Sequence, residues 1–104
     1  MAQHIPEKMQ AWGMKIGKRE PIRQQLPVPK PEADGLLIKI SAMGVCHSDC
    51  ALLGLDQPLP GMRNDFLLGH EACGEIVQLG SNVSESDFAL GDTVAILVLS
   101  LIHI

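Results

Sequence analysis

Two short segments concentrate side chains able to bind a soft metal and to move a proton. Gly44-Val45-Cys46-His47-Ser48-Asp49 carries a thiol, an imidazole, a hydroxyl and a carboxylate. Gly69-His70-Glu71 adds a second imidazole and a second carboxylate behind a glycine. A thiolate with a neutral imidazole is a donor set that zinc favours, at about 2.3 Å to sulfur and about 2.0–2.1 Å to nitrogen. Cys46 and His70 are therefore the foremost ligand candidates, with Glu71 as a third donor. A catalytic zinc takes three protein ligands and keeps one position for water or substrate. No other residue has an obvious claim, so the set is short. The competing reading stays open at this point, because buried cysteines and hydrogen-bonded histidines are common in cores. Cys50 and Cys73 are read as small core residues, and Ser48 or Asp49 as a helix cap.

The elements that must position these groups are short. Met9–Ile16 is expected to be a strand, with Ala11 or Trp12 turned inward. A turn at Gly17–Pro21 and a strand at Ile22–Leu26 follow. The spaced prolines of residues 27–31 favour an extended connector. Leu36–Ala42 is the clearest strand, with Ile38, Ile40 and Ala42 on one face; Gly44 ends it. Residues 46–53 fit a short helix, and residues 54–65 a loop rich in proline and glycine. Ile76–Leu79 and Thr93–Leu97 read as strands, separated by a turn at Gly80–Asn82 and a polar loop. Many short strands, one helix and frequent glycine turns predict a mostly β domain, barrel-like and partly open. No Gly-x-Gly-x-x-Gly follows any strand, so no dinucleotide-binding unit is read within these residues.

Composition narrows the function classes. With 104 residues, 46% of them apolar and 19% charged, the chain can bury a modest core. A net charge of -4 and three aromatic residues, Trp12, Phe66 and Phe88, argue against a nucleic-acid partner or an anionic membrane surface. The three cysteines make a poor disulfide framework and fit reduced thiols. No secretory signal pattern and no apolar run of spanning length is found, so a cytoplasmic protein without a membrane segment is expected.

The run Gly69-His70-Glu71-Ala72-Cys73-Gly74, continued by Gly80 and Val83, resembles the zinc signature of the medium-chain alcohol dehydrogenases. Gly44–Asp49 is similar to the first-ligand motif of that family, Pro31–Ile40 to its proline and strand lead-in, and Gly91-Asp92-Thr93-Val94 to its Gly-Asp-x-Val strand entry. The resemblance implies a GroES-like catalytic domain that is normally paired with a Rossmann domain, absent here. It implies Cys46 and His70 as zinc ligands, with Glu71 beside the metal. Ser48 then takes the proton of the alcohol, His47 faces the cofactor pyrophosphate, and Asp49 stands behind the histidine ligand. The implied reaction oxidises a small alcohol to an aldehyde or ketone. Zinc serves as Lewis acid and NAD or NADP accepts the hydride. A homo-oligomer is implied for the full-length family protein.

Two departures stand out. Ala51 occupies the position where many family members carry a proton-relaying histidine, and the family's third ligand, cysteine lobe and cofactor domain do not follow residue 97. The expected organisation is thus an incomplete GroES-like domain over residues 1–97. Residues 98–104 are expected to be a non-native tail, because Leu99-Ser100-Leu101-Ile102-His103-Ile104 resembles an in-frame translation of a sequencing-library transposon adapter; the other reading is a true apolar C-terminal strand. On that expectation the chain alone is inactive. Two other readings remain. One is a stand-alone GroES-like binding module without catalysis; the other is a zinc-free quinone-reductase relative, against which Cys46, His70 and Glu71 together count.

Overall fold

A computed structural model describes residues 4–96, and of Phe66 only the backbone. The expectations placed on Leu97 and on the tail at 98–104 lie outside the described residues. The elements are β1 (Lys8–Lys15), β2 (Ile22–Pro27), β3 (Leu36–Gly44), α1 (His47–Leu53), β4 (Asp65–Leu67), β5 (Glu71–Leu79) and β6 (Thr93–Ile96). The chain divides into two compact units. One contains residues 28–44 and 70–96 with 4–6, and the other contains Glu7–Pro27 and Val45–Gly69. The mostly β expectation is met by two open three-stranded sheets, one in each unit, with no closed barrel among the described residues.

In the second unit the strand order is β2-β1-β4, all antiparallel. The hairpin runs from Lys8 opposite Pro27 to Gly13 opposite Ile22. β1 is central, and Met14, paired with Phe66 of β4, is fully buried. Of the two residues expected to turn inward, Ala11 is half-buried and Trp12 is 52% exposed. Trp12 and Met14 share a face of β1, but Met14 lies in the stretch paired with β4, whereas the ladder partner of Trp12 is Arg23 of β2. β4 was not expected. Its three residues lie where a loop meets the zinc-signature run, too short to show a period of two. The loop before it is pinned by Ile16 N–H donating to Asn64 O at 2.8 Å and Gly17 N–H donating to Leu55 O at 3.1 Å.

In the first unit the order is β3-β5-β6. β5 is central and supplies the core, Ile76 and Val77. Two adjacent buried side chains break strict alternation, and the pairing with β3 gives the reason. Leu37 faces Gln78 while Ile38 faces Ile76, which leaves Val77 without a partner residue. Ile40 then faces Gly74 and Ala42 faces Cys73, which leaves Ser41 over. Each irregularity is a bulge that shifts the alternation by one residue. The single face expected for Ile38, Ile40 and Ala42 is therefore interrupted at Ser41. The bulge at Val77 also accounts for a core that a period of two cannot give. β5 extends back to Glu71, well before the expected start at Ile76. Gly74 explains how the strands come so close there. A Cβ at that position would stand 2.2 Å from the Lys39 carbonyl oxygen and 2.8 Å from Cγ2 of Ile38.

Candidate metal and proton-transfer site

The Cys46–Asp49 candidates belong to the unit that contains α1. The chain leaves β3 at Gly44 and reaches Cys46 in extended conformation, φ -101° and ψ 153°, as the N-cap of a seven-residue helix. The N–H of Cys46 donates to Oδ2 of Asp49 at 3.0 Å, and the N–H of Asp49 donates to the Cys46 carbonyl at 3.0 Å. Asp49 therefore caps from the third helical position, the reach-back half of a capping box. Of the two capping residues expected, Asp49 serves and Ser48, at the second helical position, does not make this bond. The Cys46 side chain takes the other half of the box, facing the Asp49 backbone N–H, but a thiol is a weak acceptor and caps less well than the Ser, Thr, Asp or Asn this position favours. Asp49 is the one buried charged residue among the described residues, 7% exposed. A buried carboxylate needs such donors to offset its lost hydration. His47 and Ser48 occupy the first turn and are exposed. Cys50, expected in the core, is exposed, and all three cysteines are free thiols.

His70 and Glu71 belong to the other unit. Gly69, the residue before His70, takes φ +99°, a conformation open to glycine and strained for other residues. It turns the chain just as β5 begins. His70 is half-buried and Glu71, the first residue of β5, is exposed. Glu71 is paired with Gly44, and a Cβ on Gly44 would stand 3.5 Å from Oε2 of Glu71. The carboxylate thus lies along the end of β3, against the last residue before the Cys46 segment. Beside it, Ala42, Met43, Gly44, Glu71, Ala72, Cys73 and Ile96 line an open cleft of about 580 Å³. Cys73 is half-buried on this cleft, a placement that its core reading missed. The signal was available, since Cys73 follows Glu71 by two on one strand and shares its face.

Comparison with known proteins gives a consistent picture. Residues 32–102 match the family model described as the alcohol dehydrogenase GroES-like domain. The chain is 39% identical over 75 residues to alcohol dehydrogenase 1 of Emericella nidulans, covering 72% of this chain and 21% of that protein. It is 37% identical over 102 residues to sorbitol dehydrogenase of Bacillus subtilis, covering 92% of this chain and 27% of that one. A solved structure described as a zinc-binding dehydrogenase from Sinorhizobium meliloti 1021, bound to NADP, superposes with a TM-score of 0.71 at 32% identity. That match covers 85% of this chain and 24% of the other. The chain therefore spans about a fifth to a quarter of the length of the relatives it matches.

Proposed function

The chain belongs to the alcohol dehydrogenase GroES-like domain family, and on that premise we propose that it supplies the metal-binding part of a zinc-dependent, nicotinamide-using dehydrogenase of small alcohols or polyols. The remainder of that protein, including the dinucleotide site, is assigned to the length its relatives have beyond this match.

The donor chemistry fits zinc. Cys46 offers a free thiol and His70 a half-buried imidazole, while Glu71 offers an exposed carboxylate as a third, exchangeable donor. The observation that carries the reading is the pairing of Gly44 with Glu71. Partner residues in an antiparallel pair stand about 4.5–5.5 Å apart at Cα. Cys46 follows Gly44 by two residues and His70 immediately precedes Glu71. Two extended residues reach at most about 7 Å and one step is about 3.8 Å, so chain connectivity keeps the Cys46 and His70 Cα atoms within about 16 Å of each other.

Zinc, when bound, supplies a Lewis acid for an alcohol oxygen, and the nicotinamide accepts the hydride. The protein's own part is positional and protonic. Asp49 fixes the Cys46 backbone and with it the thiol. Ser48, exposed in the first turn of α1, takes the substrate proton at Oγ. His47 beside it is the residue for the cofactor's phosphates. With Ala51 in place of a relaying histidine, the proton leaves Ser48 through water or cofactor hydroxyls.

The test is metal binding by the 104-residue chain, measured by equilibrium dialysis with elemental analysis and by the visible spectrum after cobalt substitution. One equivalent of zinc is expected. Cys46→Ser should abolish the thiolate-to-cobalt band, and His70→Asn should weaken zinc binding by about 100-fold, the upper end of the losses seen when even a supporting group is removed. Unchanged zinc binding in both variants would overturn the assignment of Cys46 and His70, and no zinc binding by the parent chain would favour a binding module without a metal.

A further inference from the structure

Cys50 is the one reactive side chain of the α1 segment that the proposed function leaves without a task. Its exposure removes a core role, and it is a free thiol. It stands four residues after Cys46, the N-cap of the same helix. Four residues along an α-helix bring the chain back to nearly the same face, with Cα atoms about 6 Å apart. That separation lies within the range of about 4.4–6.8 Å that a disulfide bridges, toward its upper end. Helical side chains lean toward the N-terminus, so the side chain of Cys50 leans toward the turn that begins at Cys46. A helix of seven residues has little stability of its own, so closing the remaining gap costs mainly the Asp49 cap that holds its first turn.

We propose that Cys46 and Cys50 form an oxidisable dithiol. A peroxide oxidises the exposed Cys50 thiol to a sulfenic acid and is itself reduced to water. The Cys46 thiol then attacks the Cys50 sulfur and expels a second water, leaving a disulfide within α1. Two electrons pass from the two thiols to the peroxide O–O bond, and the two S–H protons leave in the two waters. A bond near the limit of its span is readily reduced, so the step is reversible by a thiol reductant. Its consequence for the metal rests on the assignment of Cys46 as a ligand: the disulfide takes that sulfur out of the donor set.

Trypsin separates the outcomes cleanly. No Lys or Arg interrupts residues 40–62 or 64–104, so Cys46 and Cys50 fall in the peptide 40–63 and Cys73 in the peptide 64–104. The 104-residue protein is treated with hydrogen peroxide, alkylated, digested and weighed. The expected result is a 40–63 peptide lighter by two hydrogens, refractory to alkylation until reduced, while Cys73 alkylates normally. In Cys50→Ser the loss of alkylation at Cys46 should disappear. A wild-type peptide that carries Cys50 as sulfenic or sulfinic acid with Cys46 still alkylated would overturn the dithiol, as would a link to the 64–104 peptide. The same treatment after zinc loading separates the two assignments. Slower disulfide formation is expected from a metal-held Cys46, whereas an unchanged rate removes Cys46 from the ligand set and leaves the dithiol standing.

Discussion

Asp49 accepts the backbone N–H of Cys46 at 3.0 Å while only 7% exposed, so the carboxylate that caps the helix also anchors the residue proposed to bind metal. Asp49→Ala leaves that amide without its acceptor and is expected to cost about 1–2 kcal/mol. Asp49→Asn keeps an acceptor oxygen and should recover most of the loss. Urea unfolding midpoints of the two variants distinguish these outcomes, and a zinc affinity that falls further in Ala than in Asn would tie the anchor to the thiol.

Gly69 sits at φ +99° directly before His70. Gly69→Ala places a Cβ in a conformation that disfavours it, at a cost of about 1–2 kcal/mol. The chain can relieve this strain by rotating the segment that carries His70. Zinc affinity is therefore expected to drop by more than the change in unfolding midpoint accounts for. Equal losses in both measurements would confine the glycine to a structural role.

Gly74 faces Ile40 across the β3–β5 pair, and a side chain there would meet the Lys39 carbonyl oxygen at 2.2 Å. Backbone cannot give way as a flexible side chain can. Gly74→Ala is expected to destabilise the protein by about 3 kcal/mol. Denaturant titration followed by far-UV circular dichroism reads this directly.

The ion pair of Arg19 with Asp56, 2.5 Å long, provides a contrasting expectation. Both side chains are mostly exposed, at 61% and 76%, and exposed pairs contribute little. Asp56→Asn should leave the unfolding midpoint nearly unchanged, within an effect of about 0.5 kcal/mol. A larger loss would assign the pair a part in holding the loop that follows α1.

Much of the fold was legible because its signals are local. Glycine and proline mark the turn after β1, and alternating apolar residues mark β3 up to Gly44. The helix was legible from residues 46–53, and Asp49 at its third position carries the cap. What escaped depends on pairing between distant segments. β4 is three residues long and exists because β1 offers it an edge. Val77 is buried beside Ile76 because a bulge against β3 interrupts the alternation, and no residue near Val77 announces that bulge. Met14 is buried where Trp12 is not, in the stretch of β1 that pairs with β4, Gly13 to Lys15, and only the strand pairing decides that. Among the candidate site residues, identity and spacing were legible. The closeness of Glu71 to Gly44 was not, since it is a property of register.

The two bulges of the β3–β5 pair lie on opposite strands, with Val77 left over on β5 and Ser41 on β3. One therefore undoes the offset that the other introduces, and Gly44 meets Glu71 as it would in an unbroken ladder. Each left-over residue is also dispensable to the pairing around it. Removing Ser41 lets Ala42 follow Ile40 directly, opposite Cys73 and Gly74, and Gly44 still meets Glu71. Removing Val77 likewise leaves the flanking pairs in place, although it gives up one core side chain. Homologous proteins are therefore expected to lack either residue independently of the other.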